Sequence, residues 1–115
     1  MNYKIDYDNN SLILYPTGRI DVISARELDK EMEEISADFG NFDVLINFEN
    51  SGLISSTGFA VILNFQRRRR EENRKVFLSN FSKENLRIID LTGIYNLFQI
   101  FNDESDFFKS KDTVC

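Results

Sequence analysis

Three hydroxyl side chains in succession, Ser55-Ser56-Thr57, precede Gly58 and an apolar stretch with helical spacing. Ser and Thr at a helix start accept hydrogen bonds from the first N–H groups, which have no partner inside the helix. One cap needs one hydroxyl, and here there are three. The unpaired N–H groups and the positive end of the helix dipole also make such a place tolerant of an anion and suited to a phosphoryl group. Plain capping and phosphate acceptance by a hydroxyl are therefore both open readings of this segment.

Other groups with chemical potential are fewer. Asp21 stands just before a helical pattern, where an acidic residue is favoured by the helix dipole. Arg67-Arg68-Arg69-Arg70 is the most visible charge run. Four consecutive residues wrap around more than one helix face, so they cannot form a single stripe. With Glu71 and Glu72 beside them they read as a solvated helix end, or as a contact for an acidic patch on a partner. Asp6/Asp8 and Asp103/Glu104/Asp106 lack the twelve-residue spacing of a calcium loop and read as turn and terminal-helix surface.

The absences are equally informative. The chain has no histidine, which removes Ser-His-Asp and Cys-His catalysis, histidine phosphorelay and histidine-ligated metal sites together. Its one cysteine, Cys115, cannot form an intramolecular disulfide and carries no evident chemistry. The five glycines are scattered, so no loop cradles a phosphate. Neither cofactor nor metal is expected, and no carboxylate pair stands out for acid–base catalysis. Fourteen basic and 19 acidic residues leave a net charge of −5, which argues against a nucleic-acid backbone as partner. The N-terminus shows no apolar signal core, and no run approaches the ~18 apolar residues that span a bilayer. The expectation is a cytoplasmic protein that does not insert into a membrane.

The elements that must position Ser55–Thr57 follow from periodicity. At 115 residues, without repeats or linkers, the chain is expected to form one domain with its core over about 3–109. With 11 Phe and no Trp, the phenylalanines should supply much of the core volume. Tyr3–Tyr7 alternates apolar and polar residues, Asp8–Ser11 supplies turn chemistry, and Leu12–Tyr15 completes an expected hairpin that Pro16-Thr17-Gly18 ends. Val22, Ala25, Leu28, Met32, Ile35 and Phe39 recur at helical intervals, with Ser24 and Glu27 as a candidate capping box and Gly40 as the stop. Phe42–Phe48 is an apolar run typical of a buried central strand. The polar segment Glu49–Gly52 then reads as a loop. A second helix over about 58–72 should face Val61, Ile62 and Phe65 inward. Next come a strand at Lys75–Ser79 and a helix capped by Ser82, with Leu86, Ile88, Ile89 and Leu91. A strand at Leu97–Phe101 and a short helix at Glu104–Lys109 complete the pattern. This order predicts an α/β domain: a mixed sheet of four or five strands around Val44–Phe48, with about four helices packed largely on one side.

Three patterns in this order resemble the STAS family of anti-sigma factor antagonists. Gly18-Arg19-Ile20-Asp21 is similar to the family's Gly-x-x-Asp. Val44–Phe48 followed by Ile54-Ser55-Ser56-Thr57-Gly58-Phe59 resembles its buried strand and its Asp-Ser-Ser-Gly-Leu helix start. Leu86–Phe98, with Leu91-Thr92-Gly93-Ile94, resembles its third helix and Leu-Thr-Gly-Leu ending. The chain departs from the pattern at Ser55, where the family most often has Asp, and at Thr57, where it most often has the phosphorylated Ser.

The resemblance implies a protein that is not itself an enzyme. It implies phosphorylation at Thr57, with Ser56 as the alternative, and a partner surface formed by Asp21, Ser55, Ser56, Thr57 and Gly58. The implied partners are an anti-sigma factor with serine/threonine kinase activity and a metal-dependent serine/threonine phosphatase. A constitutive, unphosphorylated STAS subunit of a signalling or lipid-transport assembly is the alternative.

Overall fold

A strand whose central residues are all apolar has to be covered on both faces, and this fixes the layers of the protein. In the computed structural model, which describes residues 1–112, Val44, Leu45 and Ile46 are fully buried. They belong to strand β4 (Asp43–Asn47), the centre of a five-stranded sheet in the order β1-β2-β4-β6-β7. Its other members are β1 (Asn2–Asp6), β2 (Ser11–Tyr15), β6 (Val76–Ser79) and β7 (Gln99–Phe101). β1 and β2 form the expected antiparallel hairpin, and every later pairing is parallel.

The parallel strands are linked by α1 (Val22–Ser36), α2 (Ser56–Glu71) and α3 (Lys83–Thr92). Side chains of alternate strand positions separate the two faces. Leu12, Leu14, Val44, Ile46, Val76 and Leu78 join the helices' Ala25, Leu28, Met32, Ile62, Phe65 and Ile89 in the larger core. The other face carries Ile13, Leu45 and Phe77, which would be open to water without α4 (Glu104–Asp112) and its fully buried Phe107. So three helices share one side and the fourth closes the other. Phenylalanine fills much of the interior, Phe48, Phe65 and Phe107 being among the largest fully buried side chains.

Several local expectations need correction. Two short strands, β3 (Gly18–Ile20) and β5 (Ser51–Ile54), form a separate parallel pair that was not expected, β5 beginning inside the segment Glu49–Gly52 read as a loop. The cap of α1 is Asp21, not Ser24, and Ser24 rather than Glu27 supplies the reciprocal bond. α1 ends at Ser36 and tightens into a 3-10 turn over Ala37–Phe39, and Gly40, with φ −58°, is not its left-handed stop. That role is taken by Gly93 after α3, at φ +75°. α2 starts at Ser56, two residues early. Val22 and Leu91 are exposed instead of buried, and Leu97 lies exposed in a 3-10 turn (Ile94–Leu97) before β7. Cys115 lies outside the described residues.

α4 is held by polar contacts, among them those of Asp103 and Glu104, which were expected to be terminal-helix surface. Glu104 accepts hydrogen bonds from the Tyr15 hydroxyl at 2.9 Å and the buried Asn47 amide at 2.7 Å, and pairs with Lys4 at 3.0 Å. Asp103 accepts from the Asp106 N–H at 2.9 Å, in the first turn of the helix. At the other end, Lys111 pairs with Asp43 of β4 at 2.9 Å, and Asp43 also accepts from the Lys75 N–H at 2.8 Å. Burial alone would raise the Asp43 pKa, but the Lys75 N–H and the Lys111 charge outweigh it and hold the carboxyl below its ordinary value.

A depressed folded-state pKa stabilises the fold above the unfolded value, which for Asp is about 3.9, and that stabilisation is lost as pH falls through the folded pKa. Thermal melts of the wild type between about pH 7 and 3 should therefore show an acid-side loss of stability. Asp43→Asn should melt lower at neutral pH and show a shallower acid slope. An unchanged slope would mean that other carboxylates dominate.

Candidate functional site

The pairing of β3 with β5 explains why Asp21 and Ser55 come together. Ile20 lies opposite Ile54, and the Ser55 N–H extends the pairing by donating to the Ile20 carbonyl at 2.8 Å. The next residue on each strand is a helix cap: Asp21 for α1 and Ser55 for α2. Two helix N-termini thus open side by side, and both bring the positive ends of their dipoles to one surface.

α2 approaches this pair closely over Gly58. A Cβ built there would lie 2.7 Å from Cγ2 of Ile20 and 2.8 Å from Cγ2 of Ile54, distances that real side chains do not tolerate. Glycine is therefore a packing requirement, because both isoleucines are buried. The free edge of β5 is met from the other side by Asn85 of α3, itself buried. Its Oδ1 accepts from the Ile54 N–H and its Nδ2 donates to the Gly52 carbonyl, each at 3.1 Å. The side-chain amide stands where a further strand's peptide group would stand. Sequence reading missed Asn85, although a polar residue one turn before Ile89 on an apolar stripe is a detectable signal.

The three hydroxyls divide their tasks. Ser55 Oγ accepts from the Gly58 N–H at 3.1 Å and is the cap. Asp at this position would cap equally well, so the departure from the family pattern preserves the cap and removes a charge. The first turn of α2 carries no acidic residue. Ser56 is exposed and Thr57 half-buried, and neither hydroxyl has a hydrogen-bond partner among the described residues. Asp21 accepts from the N–H groups of Ser24 at 3.0 Å and Ile23 at 3.1 Å, and from the Ser24 hydroxyl. The Ser24 N–H and hydroxyl, then the Ile23 N–H and the nearby Arg19 charge, hold its carboxyl below the usual range. Its carboxylate serves its own helix and makes no bond to Ser55, Ser56 or Thr57.

Apolar side chains flank these caps. Ile23 is 74% exposed, and Val22 and Leu53 are also open to solvent. Ser56 lies at an apolar groove of about 240 Å³ between α2 and α3, lined by Phe59, Leu63, Ile88, Leu97 and Phe98. The arginine run contributes nothing to this surface as a unit. Arg68 bridges to Asp29 and Glu33 of α1, and buried Arg69 donates to the carbonyls of Phe39 and Phe42. Only Arg67 and Arg70 fit the expected solvated helix end.

The chain matches the family model of the STAS domain over residues 2–107 and belongs to that family. Among solved structures it is similar to TM1081 of Thermotoga maritima, described as a candidate anti-sigma factor antagonist. The TM-score is 0.85 at 17% identity, over 96% of this chain and 93% of that one. It is also similar to the anti-sigma factor antagonist SpoIIAA in its unphosphorylated form, with TM-score 0.70 and 12% identity over 98% of each chain. The phosphorylated form of SpoIIAA, a Bacillus cell fate determinant, gives 0.64 and 14% over 95% of this chain and 99% of that one. At these identities the likeness establishes the fold. No curated protein matches the chain by sequence. No helix among the described residues is long and apolar enough to cross a membrane.

Two substitutions test this geometry. Gly58→Ala should destabilise the fold by roughly 1–3 kcal/mol through overpacking, even though Ala is the better helix former; urea denaturation measures it, and a neutral result would show that Ile20 and Ile54 yield easily. Asn85→Ala should leave the buried Ile54 N–H without an acceptor, at a cost of about 1–3 kcal/mol. Amide exchange should then accelerate at Ile54 more than at Val44 or Leu45, which lie in the central strand.

Proposed function

We propose that this protein is an anti-sigma factor antagonist of a partner-switching system, with Thr57 as its phosphorylated residue. The observation that carries the reading is the division of labour among the hydroxyls: Ser55 alone caps α2, while Thr57 keeps an uncommitted oxygen at the second helical position. A helix start with a separate cap has no structural need for two further hydroxyls.

In this reading the unphosphorylated protein binds an anti-sigma factor that is also a serine/threonine kinase. The partner covers Asp21, Ser55, Ser56 and Thr57 together with Ile23, Leu53 and the neighbouring α2–α3 groove, while Gly58, expected on this surface, is buried over Ile20 and Ile54 and supports it from beneath. Exposed apolar residues around two polar caps suit a contact surface that forms and dissolves. The partner transfers phosphate from its own ATP, and a metal-dependent serine/threonine phosphatase removes it. The antagonist acts as ligand and substrate, not as catalyst, and works in the cytoplasm beside the transcription machinery.

Phosphorylation adds about −1.5 to −2 charges and three acceptor oxygens. The first N–H groups of α2 and the adjacent dipole ends favour that charge, so the antagonist's own fold changes little. The cost falls on the complex, where an unpaired charge would be desolvated at the interface.

Thr57→Ala should keep its melting temperature and bind the kinase-type partner, but incorporate no phosphate. Thr57→Glu should fold normally and bind that partner at least about tenfold more weakly, ~1.4 kcal/mol. Calorimetry with the partner and mass spectrometry after incubation with partner and ATP provide the readouts. Phosphate on Ser56 alone would move the acceptor to that more exposed residue. No phosphate in the segment, together with unaltered Thr57→Glu affinity, would favour a constitutive subunit of a signalling or lipid-transport assembly.

A further inference from the structure

The end of α2 remote from Thr57 carries an arrangement of charge that partner switching does not use. α2 has 16 residues, so its ends lie about 24 Å apart at 1.5 Å per residue. After its last turn, Asn73 adopts φ +61° and redirects the chain toward β6. Arg70, Arg74 and Lys75 there line a cleft of about 450 Å³ together with Gln99 and the apolar Val76 and Phe77.

None of these three cations forms an ion pair among the described residues. Arg68 and Arg69, nearby on α2, behave differently, Arg68 being paired to α1 and Arg69 buried against carbonyls. The Arg74 charge is felt at Asp43, but that carboxylate is bonded to the Lys75 main chain and to Lys111. Arg74 Nε is closed off from solvent and has no acceptor. A buried donor without a partner is destabilising, and three like charges around one concavity repel each other. An anion in the cleft relieves that repulsion. This concentration of positive charge also stands out on a chain whose net charge is −5.

We propose that the cleft binds a small polyanion bearing two or more phosphoryl or carboxylate groups. Guanidinium forks pair with either group in bidentate fashion, and Lys75 adds a point charge. The volume falls within the range of about 300–1,000 Å³ usual for small-molecule sites. Arg70, Arg74 and Lys75 surround a concavity and not a flat face, so the site is assigned to a small ligand. The proposal is independent of Thr57.

The test is a ¹H–¹⁵N NMR titration of the full chain with sodium pyrophosphate and with citrate, against sodium chloride at matched ionic strength. The amides of residues 73–77 and 99 should shift saturably with at least one polyanion, with Kd below about 1 mM. A response to pyrophosphate alone assigns a phosphoryl ligand, and one to citrate alone a carboxylate. Arg74→Gln and the exposed Arg70→Gln should each weaken binding about tenfold or more, while Arg67→Gln, which removes the same charge elsewhere on α2, should stay within about twofold. Arg70→Gln keeps the test decisive should Arg74→Gln fail to fold. Non-saturating shifts, equal losses in Arg67→Gln, or full binding in the two cleft variants would overturn the proposal.

Discussion

The approach of α2 to the β3–β5 pair over Gly58 is the constraint on which the functional surface depends. Ile20 and Ile54 fill the space where a side chain would project, so the backbone of the first turn of α2 lies directly on two buried methyl groups. That contact fixes the axis of α2 and therefore the direction of its first N–H groups. The main-chain bond from Ser55 to Ile20 joins the same two strands one residue further on, which leaves Asp21 and Ser55 as adjacent caps. Asn85 secures the outer edge of β5 from α3. Three separate elements thus converge on the backbone of residues 52–58, and the hydroxyls of Ser56 and Thr57 are carried on a rigid support. A rigid support suits the role proposed for Thr57, that of a group recognised and modified by other proteins.

Much of the larger fold was legible because its signals are local. The full burial of Val44, Leu45 and Ile46 follows from an apolar run without alternation, and the helices follow from spacing at three and four residues. The division of the sheet into two cores is a direct consequence of the same run, since Leu45 faces away from Val44 and Ile46. What escaped were features whose cause lies across the fold. β3 and β5 are three and four residues long and alternate weakly, so only their mutual pairing identifies them. Asp21 competes with Ser24 for the cap of α1, and a sequence shows two acceptors without showing which has the extended backbone that a cap needs. Asp21 has it, with ψ near −169°.

The candidate site was legible in part for the same reason. Ser55–Gly58 announces a helix start, and the resemblance assigned it a purpose. The division of labour among the hydroxyls was not legible, because it rests on which oxygen faces the Gly58 N–H. Likewise Arg67–Arg70 looks uniform in sequence, yet helical geometry sends each side chain to a different environment. Successive residues rotate by about 100°, so one arginine meets the acids of α1, another enters the gap beneath the 3-10 turn, and two face outward. Charge in this protein has meaning by position, and the sum over a run has none.

These arrangements also bear on how a phosphorylation signal would be expressed. A switch that worked by rearranging the domain would need a bistable element near Thr57, with two packings of similar energy. The surroundings of Thr57 offer little of that kind: Gly58 leaves no slack against Ile20 and Ile54, Asn85 holds both polar groups it faces, and Ser55 already satisfies the cap. Moving α2 would break these contacts together, whereas a charge at its N-terminus is favoured where it stands. The more economical mechanism changes the surface and leaves the fold alone. Under the proposed function, discrimination would then lie in the partner, which would have to accept a neutral hydroxyl beside two helix caps and reject a dianion at the same place. The rejection needs no movement in this chain, only a partner surface with no counter-charge opposite Thr57.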